Sequence, residues 1–212
     1  MLLQIIDFVL HVNVHLAQLF RDYGTLLYAI LFLIIFCETG LVFTPFLPGD
    51  SLLFAAGALC ASSQGAIHLP TLLAVLFLAP LLGDQSNYWM GRLFGSKLPF
   101  RDDSRFLKKS YLDQTHAFYE RHGSSTIVLA RFVPIIRTFV PFVAGIGKMN
   151  WLRYTVVSTV GASLWVFGIT LLGWKFGSLP AVQKNFTHVV LGIVFVSVLP
   201  MLVQFLRSRR KP

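Results

Sequence analysis

Five ionisable side chains lie within strongly apolar stretches of the 212-residue sequence. A charge at the centre of a bilayer costs about 2.5–3.5 kcal/mol on insertion scales, so such residues usually face the protein interior and pair. Two acids facing two bases are neutral together, which makes their joint burial feasible. The five residues are Glu38, Asp50, Asp84, Arg131 and Arg137.

Arginine is the side chain best suited to phosphate, because its planar guanidinium donates two parallel hydrogen bonds to phosphate oxygens. We therefore predict that Arg131 and Arg137 bind a phosphate group. A carboxylate whose arginine partner is taken over by an anionic substrate loses a stabilising charge and can take up a proton. Glu38 and Asp50 are accordingly predicted to carry protons. In the structural alternative, the same charges form two salt bridges that only pin the surrounding segments together.

The composition is that of a membrane protein. Apolar residues make up 55% of the chain, charged residues 13%, and the mean hydropathy is +0.69, whereas soluble domains average about 45–50% and 25%. Disordered, collagen-like and disulfide-framework proteins are excluded, and the balance is against a soluble enzyme. Residues 49–52 spell Gly-Asp-Ser-Leu, as in a family of serine esterases, but the expected Asp-x-x-His partner is missing. No enzymatic activity, cofactor or metal is predicted.

The net charge is +9, and ten of the 18 basic residues lie beside apolar segments, six in residues 96–123 and four in the tail 207–212. Basic loops stay on the cytoplasmic side of a membrane and attract anionic lipid headgroups. We therefore predict a multi-pass membrane protein with a cytoplasmic C-terminus, and no binding to nucleic acid.

The apolar segments predict a single all-α membrane domain over 1–212. A spanning helix needs about 20 apolar residues, which gives about four spans. A polar stripe at helical spacing near the N-terminus predicts a helix lying on the membrane surface. The predicted elements are an interfacial helix 1–20, spans at 24–43, 70–95, 152–176 and 185–206, and a cytoplasmic helical connector at 96–123.

Two apolar segments broken by proline predict re-entrant hairpins, at 44–60 and 124–147. Proline interrupts a helix, and irregular backbone at membrane depth is tolerated only inside protein or along a cavity. The halves 24–95 and 124–206 would then form an inverted repeat, which points to a transport site near the midplane. Residues predicted to support that site are Pro45, Pro48, Gly49, Asp84, Asn87, Pro134, Thr138, Pro141 and Gly145.

Three runs resemble the DedA family of bacterial inner-membrane proteins, whose eukaryotic relatives are VTT-domain lipid scramblases. The runs are FCETGL at 36–41, FLPGDSLL at 46–53 and ARFVPIIRTFVPFVAG at 130–145. The resemblance implies lipid translocation in the bacterial inner membrane, with links to undecaprenyl phosphate recycling and to the proton motive force. It also implies that Glu38, Asp50, Arg131 and Arg137 are essential.

The function expected on these grounds is proton-coupled transfer of undecaprenyl (polyprenyl) phosphate across the inner membrane. Two alternatives are a passive scramblase of phospholipids such as phosphatidylethanolamine and a scaffold that transports nothing. A small-ion antiporter is weaker, because paired arginines repel cations. The sequence leaves the lipid, the proton stoichiometry and the net direction of transport undetermined, and it is compatible with a homo-oligomer.

Overall fold

The computed structural model describes residues 12–41, 49–94, 127–128, 131, 134–193 and 195. This part of the chain is helical and contains no strand. Residues 186–193 are also helical. The helices with defined ends are α1 (Val12–Tyr23), α2 (Leu26–Gly40), α3 (Gly49–Ser62), α4 (Leu69–Phe94), α5 (Pro134–Ile146), α6 (Trp151–Phe176) and α7 (Pro180–Lys184).

Local chemistry explains where several helices begin and end. Gly24 has a φ of +55° and closes α1, since a left-handed residue after a helix favours glycine. After α5, Lys148 has a φ of +52°, and the N–H of Met149 reaches back to the carbonyl of Ala144 at 3.0 Å. Asn150 then caps α6, because its Oδ1 accepts the backbone N–H of Arg153 at 3.1 Å.

Two of the helices, α4 and α6, are long and apolar enough to cross a membrane. Their most apolar windows have mean hydropathies of 1.4 and 1.8, and only 33% and 39% of those windows is buried within the protein. Side chains such as Leu82 and Leu164 lie exposed on them. Helices that present apolar side chains outward are expected where lipid is the solvent.

The chain divides into two compact units, and each combines segments from both halves of the sequence. The first unit contains residues 1–34, 48–77 and 166–212, and the second contains 35–47 and 78–165. The helices α2, α4 and α6 contribute residues to both units. The units therefore do not coincide with the predicted halves 24–95 and 124–206.

In the first unit, α3 packs against the last part of α6 through glycine. A Cβ on Gly57 would overlap the carbonyl oxygen of Thr170, and a Cβ on Gly173 would overlap the backbone of Phe54. The α3 helix is apolar on all sides and buried from Ser51 to Ala58, as expected for a helix enclosed by protein.

In the second unit, α5 packs in the same way against the last part of α4. A Cβ on Gly145 would overlap the carbonyl oxygen of Tyr88, and a Cβ on Gly91 would overlap the backbone of Phe142. The rings of Tyr88 and Tyr154 stack nearby, with centroids 4.6 Å apart. Both units thus bring a short apolar helix into backbone contact with the end of a long one.

The turn that follows the short helix is also similar in the two units. A residue with positive φ stands there each time: Gln64 at +51° between α3 and α4, and Lys148 at +52° between α5 and α6. The two units thus share both the glycine contacts of the short helix and the turn that follows it, while the inverted repeat stays a prediction.

The predicted spans agree with the helices to within a few residues where the structure describes them. The span 70–95 corresponds to α4, 152–176 to α6, and 24–43 to α2, which ends earlier, at Gly40. The helix α5 lies within the predicted hairpin 124–147, and α3 begins within 44–60 but ends two residues later, at Ser62. The segment of the first hairpin with Pro45 and Pro48, residues 1–11, the whole connector 96–123 and the tail 207–212 lie outside the described residues, and the re-entrant geometry stays a prediction.

Candidate functional site

An ion pair between Glu38 and Arg137 joins α2 to α5 in the second unit. A guanidinium nitrogen of Arg137 (Nη2) donates to Oε1 of Glu38. Glu38 lies near the end of α2, and Arg137 is in the first turn of α5, which begins at a proline. Proline suits the first position of a helix because no intrahelical hydrogen bond is lost there. Pro134 therefore fixes where the turn carrying Arg137 begins.

A second ion pair, between Asp84 and Arg131, is supported by the neighbouring helix α6. Nη2 of Arg131 donates to Oδ2 of Asp84. The hydroxyl of Ser158 donates to the same carboxylate oxygen and lies 3.2 Å from Nη2 of Arg131. The hydroxyl of Tyr154 donates to the backbone carbonyl of Asp84 at 3.2 Å. A buried pair needs such additional hydrogen bonds to offset its desolvation.

The two guanidiniums share one aromatic neighbour, Trp165 of α6. The Cζ atom of Arg137 lies 5.1 Å from the indole centroid, and that of Arg131 lies 6.0 Å from it. These distances fall within the range of attractive cation–π interactions. Gly161, one turn earlier, lies beside the Arg131 side chain: a Cβ there would be in ordinary contact with it, 3.4 Å from its Cγ.

Asn87 connects the backbone segments that carry the first ion pair. Its side-chain Nδ2 donates to the carbonyl of Thr39 at 3.1 Å and to that of Thr138 at 2.7 Å. These carbonyls belong to the residues that follow Glu38 and Arg137. The amide of Asn87 therefore fixes the end of α2 and the start of α5 at one distance from α4.

All four charged groups are buried. Their exposed fractions are 0% for Glu38, 3% for Asp84, 6% for Arg131 and 9% for Arg137. Two carboxylates and two guanidiniums make the site neutral, so it carries no net charge to desolvate. Among the described residues, no group of histidine, cysteine or acidic side chains could hold a metal ion.

The structure brings some of the predicted site residues together and leaves others apart or undetermined. It pairs Glu38 with Arg137, a pairing that the sequence had not specified, and it gives Arg131 a partner, Asp84, that the sequence placed only in a supporting role. Asp50 lies half-buried in the first turn of α3, in the first unit, so its approach to the arginines stays a prediction. The remaining supporting residues that the structure describes lie in α3 and α5: Gly49, Pro134, Thr138, Pro141 and Gly145.

Sequence reasoning missed the contribution of α6 altogether. None of Tyr154, Ser158, Gly161 and Trp165 is among the residues that the sequence predicts for the site. The four residues recur at intervals of three and four, which places them on one face of a helix. The signal for this part of the site would have been one face of an apolar helix that carries a hydroxyl, a glycine and two large aromatic side chains.

Comparison with known proteins gives relatives over most of the chain. Residues 47–175 match the family model described as the VTT domain. The chain is 51% identical to Protein DedA of Escherichia coli strain K12 over 206 residues. This aligned region covers 97% of this chain and 94% of that protein.

Two further relatives are more distant. An uncharacterized membrane protein of Mycobacterium tuberculosis is 47% identical over 178 residues, covering 84% of this chain and 78% of its own. Inner membrane protein YqjA of Escherichia coli strain K12 is 35% identical over 159 residues, covering 75% and 71%. No solved structure matches the chain. The names of these two relatives place them in membranes.

Proposed function

Because the chain belongs to the DedA family of VTT-domain membrane proteins, we propose that it moves a lipid phosphate across the bacterial inner membrane. The substrate proposed is undecaprenyl phosphate or a related polyprenyl phosphate, and its movement is coupled to protons. The protein spans the membrane several times with its C-terminus in the cytoplasm. It acts as a carrier and makes or breaks no covalent bond.

The observation that carries this proposal is the pair of buried guanidiniums, each neutralised by a carboxylate. Arg131 and Arg137 offer the planar donors that phosphate binds best. In the empty state Asp84 and Glu38 accept those hydrogen bonds. A phosphate that enters must displace the carboxylates, so the site exchanges one set of anions for another.

Charge balance connects this exchange to protons. When the phosphate takes over the arginines, a carboxylate left buried without its partner is costly as an anion. Proton uptake by Glu38 or Asp84 restores neutrality, and the headgroup then crosses with the proton. Asp50 is proposed as a further proton carrier at the start of α3. The polyprenyl tail stays in the lipid while the headgroup moves.

The test is translocation of a short-chain polyprenyl phosphate in proteoliposomes, with and without a pH gradient. We expect the wild-type protein to move the lipid faster when a gradient is imposed. Arg137→Ala should abolish movement, because it removes one phosphate donor and leaves Glu38 buried without its partner. Arg153→Ala is the matched control, since Arg153 is exposed. Unchanged transport by Arg137→Ala would refute the role given to this residue.

A passive phospholipid scramblase is the second candidate, and the neutrality of the site favours it. A phosphoethanolamine headgroup carries one positive and one negative group, and the site presents carboxylates and guanidiniums together. Such a scramblase should move zwitterionic reporters equally well with and without a pH gradient. A scaffold would move neither kind of lipid at any pH.

A further inference from the structure

Trp165 makes cation–π contacts with both arginines of the proposed phosphate site. We propose that Trp165 is a positioning residue that holds the two guanidiniums in the orientation in which they bind the anionic headgroup. This inference rests on the proposed function and assigns a specific role to a residue outside the ion pairs.

The geometry of a guanidinium explains why an indole suits this purpose. The five N–H donors of arginine lie in the plane of the group, whereas an aromatic ring is attracted to the cation over the ring face. A hydrogen-bonding neighbour would occupy donors that the phosphate needs. Trp165 contacts Arg131 and Arg137 through its ring face, so it attracts the cations without adding an oxygen acceptor that would compete with phosphate.

The positive charge of the arginines also needs support at the moment of exchange. While the carboxylates of Glu38 and Asp84 give way to phosphate, each guanidinium briefly loses part of its neutralising contact. The electron-rich face of a buried indole stabilises a cation more than the face of a water-exposed indole does. Trp165 is 1% exposed, so its contribution is available throughout the exchange.

The rest of the α6 face is consistent with this role. The Arg131 side chain contacts Ser158 on one side and the Trp165 ring on the other, and it lies against Gly161 between them. A β-carbon at Gly161 would sit 3.5 Å from its Nε atom, in ordinary van der Waals contact, so the guanidinium group passes directly beside this position of α6. One helix face therefore determines where Arg131 lies along α6.

The alternative is that Trp165 only fills space in the apolar interior. The two explanations differ in what a smaller or non-aromatic side chain should change. A space-filling residue affects the stability of the protein and the number of active molecules. A positioning residue affects the lipid concentration at which transport is half-maximal, because the arginines bind the headgroup less well.

Transport of the short-chain polyprenyl phosphate in proteoliposomes separates these cases when it is measured over a range of lipid concentrations. We expect Trp165→Leu to raise the half-saturating concentration about tenfold, the scale of a desolvated cation–π contact. Trp165→Phe, which keeps an aromatic face, should raise it by about threefold or less. Trp174→Leu is the matched control on the same helix, because Trp174 is exposed, and it should behave as wild type.

Fluorescence provides a second measurement that does not depend on turnover. The protein has four tryptophans, so the variant Trp89→Phe/Trp151→Phe/Trp174→Phe leaves Trp165 as the sole indole. Its emission should change when vesicles contain the polyprenyl phosphate and should stay constant when they contain only phosphatidylcholine. The change should disappear when Arg137→Gln is added to this variant.

The outcomes distinguish the inference from the function on which it rests. If wild type transports the lipid but Trp165→Leu and Trp165→Phe match Trp174→Leu in half-saturating concentration, Trp165 is not a positioning residue and the transport proposal stands. A loss of transport confined to the maximal rate overturns the inference in the same way. If Trp165→Leu does not insert into membranes, Trp165→Phe and the emission of the single-tryptophan variant decide. If the wild type moves no anionic lipid, the proposed function is wrong and this inference falls with it.

Discussion

Asp84 forms one of the two buried ion pairs of the site, whereas the sequence predicted only a supporting role for it. Its carboxylate receives the guanidinium of Arg131 and the hydroxyl of Ser158, and its backbone carbonyl receives Tyr154. Three groups from two other segments thus converge on one residue of α4. Such a buried pair stabilises a protein little compared with an apolar replacement, but removal of one partner is severe because the other charge stays buried.

We therefore predict that Asp84→Asn destabilises the protein by about 3–5 kcal/mol, since Arg131 would be left without its counter-ion. The double variant Asp84→Asn/Arg131→Gln should recover much of this loss, because no uncompensated charge remains. Thermal unfolding in detergent, followed by tryptophan fluorescence, measures both effects. Asp22→Asn is the control, because Asp22 is exposed. Equal losses in the single and the double variant would show that the charge pairing is not what matters.

The sequence was sufficient to find the charged residues of the site but not to pair them. A charge in an apolar segment is visible without a structure, because it is costly in any membrane fold. Which acid meets which base depends on how far each helix is rotated and shifted. Asn87 shows the difficulty: its amide links two backbone carbonyls distant in sequence, and no residue pattern records such a contact.

At the scale of helices, glycine determines how closely the short apolar helices approach the long ones. Gly57 of α3 and Gly145 of α5 each lie directly against backbone atoms of the neighbouring long helix. Gly173 and Gly91 are their counterparts on α6 and α4. Small residues permit this approach, which packing between helices in a membrane favours.

Alanine at these glycines should separate the helices. We predict that Gly57→Ala and Gly145→Ala each lower the thermal stability of the protein in detergent, with an overpacking cost of about 1–3 kcal/mol. Gly168→Ala is the control, because its added Cβ would meet no atom within 4 Å. That substitution should be neutral or stabilising by up to about 1 kcal/mol, since alanine favours a helix. A similar loss at Gly168 would indicate a general cost of alanine in these helices.

The positions of the helices were easier to predict from the sequence than the helices against which they pack. Long apolar runs gave α4 and α6 nearly to the residue, because hydropathy over a span is a strong signal. Proline and glycine marked where the short helices α3 and α5 would lie. The pattern could not show that α3 packs on the end of α6 rather than within its own half, since both choices bury equally apolar faces.

At the scale of the whole chain, both compact units depend on both halves of the sequence. The first unit needs residues 48–77 and 166–193, and the second needs 35–41 and 78–94 together with 134–165. The predicted halves 24–95 and 124–206 are therefore not separate compact units, and their relation as an inverted repeat stays a prediction. Neither half contains the contact surface that its short helix requires.

A chain divided within 96–123 tests this dependence. We predict that either fragment expressed alone is degraded, because the glycine faces of α3 or α5 have no partner. Co-expression of both fragments should restore a stable pair that purifies together and moves the lipid reporter. The intact chain with an uncut protease site in the same segment is the control. Stable accumulation of the N-terminal fragment by itself would contradict the prediction.

The pairing of Gly57 with Thr170 also has a consequence for synthesis of the protein. Ribosomes add about 5–20 residues per second, so on the order of ten seconds pass between the emergence of these two residues. During that interval the nascent α3 can pack against α1, but its glycine face has no permanent neighbour. Lipid or the insertion machinery must therefore cover that face until the last part of α6 has been made.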